Sequence, residues 1–261
     1  MTDPHVSFDL SGKVALITGA SRGIGEAIAI AYAQAGANIV IASRKLEGLQ
    51  QVATKIEALG GKVLPVVANV GEDEQLEALV DKTRAQFGGI DILVNNAAIN
   101  PAFGPLLSLE DRTIEKIFRV NVFGYIKLAR LCVPSMRERG GGKIINMSSV
   151  GGLRPGRGLG AYSMSKAAVI SLTKGLAQEL GPDNIQVNAI APGIIKTKFA
   201  AFLVETESIA APALAGTPLG RFGEPQDVAG VALFLASPAS NYITGTVNVI
   251  DGGGTLGGGV G

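Results

Sequence analysis

The sequence is poor in the residues that many catalytic sites need, because its 261 residues include one His, one Cys and no Trp. One His and one Cys cannot supply the ligand set of a zinc site, and Cys132 alone cannot form an internal disulfide. His5 lies in a polar N-terminal stretch, so a Ser-His-Asp hydrolase would have no suitable base. We therefore expect no metal centre, no disulfide framework and no catalytic triad.

The sequence also lacks an excess of charge, since 23 Lys and Arg nearly balance 22 Asp and Glu. This balance provides no basic surface for nucleic acid or anionic lipid. The polar start has no apolar run typical of a signal peptide, and the uncharged run 228–250 is interrupted by Pro238 and several polar residues. We expect a cytoplasmic protein that acts on a small molecule, without a nucleic-acid or membrane partner.

Short apolar segments alternate with helix-length segments along nearly the whole chain, which predicts an α/β fold with a parallel sheet and helices on both faces. The seven strands are predicted at 14–18, 38–42, 63–67, 92–94, 143–147, 186–190 and 246–250. The helices are predicted near 24–35, 45–59, 72–87, 108–138, 160–180 and 225–236. No composition break divides residues 1–261, so we expect one domain, with a long irregular loop at about 193–223.

A glycine-rich turn follows the first predicted strand and precedes an Ala-rich helix, which is the context of a dinucleotide site. Glycines let the backbone approach a pyrophosphate, and the free amides of the helix start attract its charge. A plain tight turn is the alternative. The candidate cofactor residues of this turn are Gly19, Ser21, Arg22, Gly23, Ile24 and Gly25.

The second predicted strand is followed by Ser43 and Arg44, where an NAD site would carry Asp or Glu for the ribose 2′-hydroxyl. A 2′-phosphate instead requires cationic donors. Arg44, with Arg22 as a second cation, therefore favours NADP(H). A solvated helix start is the alternative interpretation of Arg44 and Lys45.

Tyr162 and Lys166 lie four residues apart at the start of a predicted helix, on one helix face. A phenol is a poor proton donor at neutral pH unless a nearby cation stabilises the phenolate. Ser148 and Ser149 follow the predicted strand 143–147, at whose carboxyl end a serine can hydrogen-bond a substrate oxygen. Asn121, within an apolar helical segment, is either a proton-relay residue or a satisfied buried amide.

Taken in order, several motifs resemble the short-chain dehydrogenase/reductase family over about residues 10–254. They are TGASRGIG, NNAA at 95–98, Asn121, Ser149, Tyr162-x-x-x-Lys166 and Pro192-Gly193. The resemblance implies a single-domain Rossmann fold and a homotetramer. It departs from the family pattern at Asn69, where Asp is usual, and at Ala98, where Gly is usual.

The resemblance also implies the role of each site residue. Tyr162 would protonate a carbonyl oxygen, Lys166 would lower the pKa of Tyr162 and hold the nicotinamide ribose, and Ser149, thirteen residues before Tyr162, would orient the carbonyl. Asn121 would anchor a relay water. The remaining cofactor contacts would be Asn69 and Val70 beside adenine, Asn95 and Ala97 beside the adenine ribose, and Pro192, Gly193, Ile195 and Thr197 beside nicotinamide.

Further segments look like NADPH-dependent carbonyl reductases of the retinal-reductase type, among them SRK at 43–45 and APGIIKTKF at 191–199. The implied reaction is reduction of a ketone or aldehyde to an alcohol. A 3-oxoacyl-[acyl-carrier-protein] reductase and an NADPH-binding sensor without turnover are the alternatives. The apolar side chains of 196–216 suggest an apolar substrate, or else packing on the body of the protein or on a neighbouring subunit.

Overall fold

Seven parallel strands form the sheet in the computed structural model, which describes residues 6–256 apart from the side chain of Ile209. His5 and the last tail glycines lie outside these residues. The strands are β1 (Val14–Thr18), β2 (Asn38–Ser43), β3 (Val63–Val67), β4 (Ile92–Asn95), β5 (Gly142–Met147), β6 (Ile185–Pro192) and β7 (Val247–Ile250). Their order is β3-β2-β1-β4-β5-β6-β7, so the predicted Rossmann-type sheet is confirmed.

Helices cover both faces of the sheet. They are α1 (Gly23–Gln34), α2 (Leu46–Ala58), α3 (Asp73–Phe87), α4 (Asp111–Phe118), α5 (Gly124–Glu138), α6 (Gly160–Leu180), α7 (Ala201–Glu205), α8 (Glu207–Ala215) and α9 (Pro225–Ala236). None of the helices in residues 6–256 is long and apolar enough to cross a membrane.

The strands are apolar on both faces because each face packs against a helical layer. In β1, Ala15 and Ile17 belong to the core cluster with α1, α2 and α9, whereas Leu16 belongs to the cluster with α3 and α5. Between α1 and α9, the hydroxyl of fully buried Tyr32 donates to the Ala232 carbonyl at 2.8 Å. The two layers hold the strand ends, and therefore the site residues, in fixed register.

The structure differs from the predicted elements in two places. The single helix predicted at 108–138 is divided into α4 and α5 by a π-helical turn, Arg119–Phe123, in which the hydrogen bonds shift to i→i+5. The segment 193–223, predicted to be irregular, contains the short helices α7 and α8. Pro212 lies inside α8, and because proline disfavours a helix interior, no helix was expected there.

Candidate functional site

The candidate site lies along the carboxyl edge of the sheet. Consecutive strands run outward from β1 to β2 and β3, and the chain then crosses to β4 on the other side of β1. Ligands of open α/β sheets bind at such a switch point. The strand ends bring the glycine turn after β1, the loop after β4 and the serines after β5 to the same edge.

The glycine turn leaves no room for side chains. Gly19 and Gly23 have φ of 65° and 64°, a region that strongly favours glycine. A Cβ on Gly25 would lie 2.5 Å from the Gly19 carbonyl oxygen, and one on Gly19 would lie 2.9 Å from Cα of Ala97. The turn therefore needs glycine at three positions, unlike an ordinary tight turn, because these glycines keep its backbone close to α1 and to the loop after β4.

Asn96 and Thr18 fix this turn, and sequence analysis missed both. The Asn96 amide donates to the carbonyls of Thr18 and Gly19 at 2.9 and 3.2 Å. The Thr18 hydroxyl accepts from the backbone amides of Asn96 and Ala97, both at 3.1 Å. By contrast, the side chain of Asn95 is 1% exposed and donates to Asn146, so its side chain lies within the sheet.

The first turn of α1 is suited to an anion. No side chain caps its N-terminus, so the first amides remain available to a phosphate. Ser21 lies against Gly48 of α2, with 2.9 Å between its Cβ and an ideal Cβ on that glycine, which brings the start of α2 beside the glycine turn. Ile24 packs partly against the core and helps to hold α1 in place.

Two exposed arginines lie at this end of the site. Neither Arg22 nor Arg44 forms a salt bridge with a carboxylate of the described residues. The Ser43 hydroxyl donates to the Lys45 carbonyl at 3.1 Å. The end of β2 therefore presents cations and a hydroxyl rather than a carboxylate.

The loop after β3 carries Asn69 and Val70. The Asn69 side-chain oxygen accepts from the Gly71 amide at 3.1 Å, and its backbone amide donates to Gln75 at 2.8 Å. Val70 is buried, and its carbonyl oxygen would lie 2.5 Å from a Cβ on Gly124. Both residues are held rigidly at the sheet edge, and their contact with adenine remains a prediction.

The two serines after β5 have different surroundings. Ser148 is buried, and its hydroxyl donates to the Lys166 carbonyl at 2.9 Å, so it has a structural partner. The Ser149 hydroxyl accepts from the Gly151 amide at 3.1 Å and also lies beside the Tyr162 phenol. Burial raises the pKa of Tyr162 to about 12, and the hydrogen bond with Ser149 opposes this rise. These contacts favour Ser149 as the partner of Tyr162.

Lys166 is 1% exposed, and burial lowers its pKa to about 7. Its Nζ donates to the Met147 carbonyl at 2.7 Å and lies 5.7 Å from the centroid of the Tyr162 ring. Burial therefore dominates the pKa of Tyr162, and Lys166 is not among the groups that lower it. The predicted lowering of the Tyr162 pKa by Lys166 remains a prediction.

Asn121 lies in the π-helical turn and is fully buried. Its side chain accepts from the Ile99 amide at 2.9 Å, and donates to the Ile99 carbonyl at 3.0 Å and to Ser165 at 3.1 Å. It is thus a satisfied amide that ties the loop after β4 to α6. A further role in a water relay remains a prediction.

The predicted nicotinamide side is formed after β6. The Gly193 amide donates to Ile250 of β7 at 2.9 Å, and a Cβ on Gly193 would lie 2.8 Å from Cβ of Asp251. Ile195 is buried and pairs with Gly223. Thr197 reaches the glycine turn, because its methyl carbon would lie 3.1 Å from a Cβ on Gly23. Pro192, at the end of β6, precedes this wall.

Loops beside Tyr162 expose aromatic side chains. The Phe199 ring lies 6.2 Å from the Tyr162 ring, and Phe103 lies 5.6 Å from Phe202, between ring centroids. These three phenylalanines are 54–57% exposed. Arg154, in the loop after Ser149, donates to the Thr255 carbonyl at 2.9 Å and so ties this rim to the C-terminal segment.

The chain is similar to known proteins along nearly its whole length. A family model described as enoyl-(acyl carrier protein) reductase matches residues 19–255. The chain is 42% identical over 244 residues to dehydrogenase/reductase SDR family member 4 of Sus scrofa, covering 94% of this chain and 88% of that protein. It is 43% identical over 244 residues to a 3-oxoacyl-[acyl-carrier-protein] reductase of Thermotoga maritima, covering 94% and 98%.

Solved structures agree with this likeness. A gluconate 5-dehydrogenase from Burkholderia cenocepacia, in complex with NADP and tartrate, has a TM-score of 0.92 and 37% identity, covering 97% of this chain and 98% of that one. A 7α-hydroxysteroid dehydrogenase complexed with NADH and 7-oxo glycochenodeoxycholic acid has a TM-score of 0.92 and 36% identity, with the same coverage.

Proposed function

Because this chain belongs to the short-chain dehydrogenase/reductase family, whose members are oxidoreductases, we propose that it reduces a ketone or aldehyde with NADPH. The observation that carries the proposal is the placement of Ser149, Tyr162 and Lys166 on the same sheet edge as the glycine turn. The turn fits a dinucleotide because its glycines allow a close-packed backbone at the sheet edge that side chains would disrupt, and because no side chain caps α1.

The preference for NADPH rests on the end of β2, since the structurally similar dehydrogenases include one solved with NADP and one with NADH. Arg22 and Arg44 would bind the 2′-phosphate. No carboxylate would repel it from the end of β2, because Ser43 stands where an NAD site carries Asp or Glu. A charge-assisted pair with a phosphate is about twice as strong as a neutral hydrogen bond. NADPH should therefore bind more tightly than NADH.

Bound NADPH would supply a hydride to the carbonyl carbon. Tyr162 would donate its phenolic proton to the carbonyl oxygen, and Ser149 would orient that oxygen through its hydroxyl. Lys166, close to the phenol, would stabilise the phenolate that forms. Positioned acid catalysis of this kind contributes roughly 10²–10⁴-fold to the rate.

The aromatic rim favours an apolar substrate. Phe199, beside Tyr162, and the pair Phe103 and Phe202 offer ring faces at the mouth of the site, where an aryl or bulky apolar ketone would be desolvated. The alternative, reduction of a 3-oxoacyl-[acyl-carrier-protein], is supported by the similar enzyme of Thermotoga maritima.

A substrate panel tests the function. Aryl ketones, alkyl aldehydes and a 3-oxoacyl thioester would each be assayed with NADPH and with NADH, in the wild type and in Tyr162→Phe. We expect NADPH oxidation with aryl ketones, its loss in Tyr162→Phe, and unchanged NADPH affinity in that variant. Binding of NADPH without turnover of any carbonyl would instead indicate a sensor, and thioester-specific turnover would indicate the acyl-carrier reductase.

We also propose that the protein is a cytoplasmic homotetramer. Three exposed apolar side chains are Phe123 before α5, Met164 on α6 and Val249 on β7. Such exposed groups are typical of interaction surfaces. Light scattering coupled to size-exclusion chromatography would measure the mass, and a monomer would contradict this proposal.

A further inference from the structure

A second tyrosine lies beside α6, the helix that carries Tyr162 and Lys166. Tyr125 in α5 is fully buried, and its ring centroid lies 5.5 Å from Nζ of Lys166. The Tyr162 ring lies 5.7 Å from the same nitrogen. Nζ of Lys166 therefore lies within 6 Å of the centroids of two aromatic rings, one on its own helix and one on α5.

The two side chains also share one acceptor. Lys166 Nζ donates to the Met147 carbonyl at 2.7 Å, and the Tyr125 hydroxyl donates to the same oxygen at 3.4 Å. The carbonyl lies at the end of β5, directly before the two serines. Tyr125 thus contacts Lys166 through its ring and is anchored to the acceptor that fixes the lysine.

Lys166 has no compensating anion in the described residues. It forms no salt bridge there, and the titratable groups that face it are the phenols of Tyr125 on α5 and Tyr162 on α6. Burial lowers the pKa of Lys166, and burial and the proximity of Tyr162 both raise that of Tyr125, so Tyr125 stays neutral. A neutral ring is a cation–π partner for an ammonium that has left water.

We infer that Tyr125 is a positioning residue that keeps Lys166 cationic and directed toward Tyr162 by presenting its ring to the ammonium. The inference rests on the proposed function for the role of Lys166 in turnover, although the contact itself does not depend on it. The ring, rather than the hydroxyl, is the active feature, because the hydroxyl bond at 3.4 Å is long.

The test compares Tyr125→Phe, which keeps the ring, with Tyr125→Leu, which removes it. The titration of Lys166 would be followed by NMR of protein labelled with ¹³C at the lysine ε carbon, with the resonance assigned by its loss in Lys166→Met. We expect Tyr125→Leu to lower the pKa of Lys166 by about one unit, the size of a desolvated cation–π contact, and Tyr125→Phe to leave it unchanged.

Tyr32→Leu is the matched control, because Tyr32 is equally buried but bonds to Ala232 between α1 and α9. It should destabilise the fold without moving the Lys166 titration. Should Tyr125→Leu not fold, Tyr125→Met removes the ring with a longer apolar side chain. An unchanged Lys166 pKa in the ring-free variant, or equal shifts in Tyr125→Phe and Tyr125→Leu, would overturn the inference.

Turnover provides a second readout. The alkaline limb of the pH profile of kcat for ketone reduction should move about one unit toward lower pH in Tyr125→Leu, with little change in KM and rescue in Tyr125→Phe. If the wild type reduces no carbonyl but the NMR shift is present, the proposed function fails and the positioning role stands. If ketones are reduced but no shift is present, only the positioning role fails.

Discussion

Replacing Gly25 with Ala tests whether the glycine turn is a cofactor site held by close packing. The new methyl group would lie 2.5 Å from the Gly19 carbonyl oxygen and 2.6 Å from the Asn96 amide nitrogen. Relief by movement of Asn96 would weaken its bonds to the Thr18 and Gly19 carbonyls. Relief by movement of Gly19 would open the turn itself.

The size of the effect follows from two opposed contributions. Overpacking against rigid neighbours costs about 1–3 kcal/mol, whereas Ala in place of Gly within a helix contributes about 1 kcal/mol of stability. We expect a net loss of up to about 2 kcal/mol in the free energy of unfolding, which lowers Tm by up to about 8 °C in a chain of this size. NADPH affinity should fall at least about tenfold, because the displaced amides no longer meet the pyrophosphate.

The assay combines thermal unfolding with an NADPH fluorescence titration. Gly230→Ala is the matched control, since Gly230 is an exposed glycine in α9 whose Cβ would meet nothing within 4 Å. It should raise Tm slightly and leave NADPH affinity unchanged. Wild-type NADPH affinity in Gly25→Ala would refute the reasoning that close packing of this turn creates the phosphate site.

Three further predictions concern single side chains. Arg44→Asp should weaken NADPH binding by about tenfold or more and spare NADH, whereas equal losses of the two affinities would argue against a 2′-phosphate contact. Burial and the charge of Lys13 lower the pKa of Lys143 to about 8. Between about pH 8 and 10.5, Lys143 therefore binds fewer protons in the folded chain than in the unfolded chain. The free energy of unfolding should therefore rise with pH in that window, by up to about 1.4 kcal/mol per pH unit. Chemical denaturation of Lys143→Met at several pH values should show no such rise, and an equal rise would contradict the lowered pKa of Lys143. Asn121→Ala leaves the amide and carbonyl of Ile99 without partners and should cost about 2–3 kcal/mol in chemical denaturation, a loss that an unchanged midpoint would exclude.

Most of the sheet could be predicted from sequence because its strands are buried on both faces and read as short apolar runs. The break between α4 and α5 could not, since a π-helical turn keeps the apolar spacing of a helix and changes only its hydrogen bonds. The helices α7 and α8 are short, and α8 contains Pro212, so local preference argued against them. Tertiary packing decides both segments.

The candidate site shows the same division. Tyr162 and Lys166 are four residues apart, and the glycines of the turn are close together in the chain, so both groups can be recognised from the sequence. Tyr125 has no such spacing, because its importance arises only when α5 packs beside Lys166. Asn95 and Asn96 are adjacent and chemically identical, yet one side chain lies within the sheet and the other fastens the glycine turn.

The contacts of the C-terminal segment determine the order in which the site is completed during synthesis. The Gly193 amide donates to Ile250, and Arg154 donates to Thr255. The predicted nicotinamide side after β6 and the loop after Ser149 therefore both depend on residues 250–255. A nascent chain that has emerged only as far as α9 already contains the glycine turn and Tyr162 but lacks β7 and the residues that follow it. Docking of β7 then closes the site, and a chain truncated before Val247 would lack both contacts.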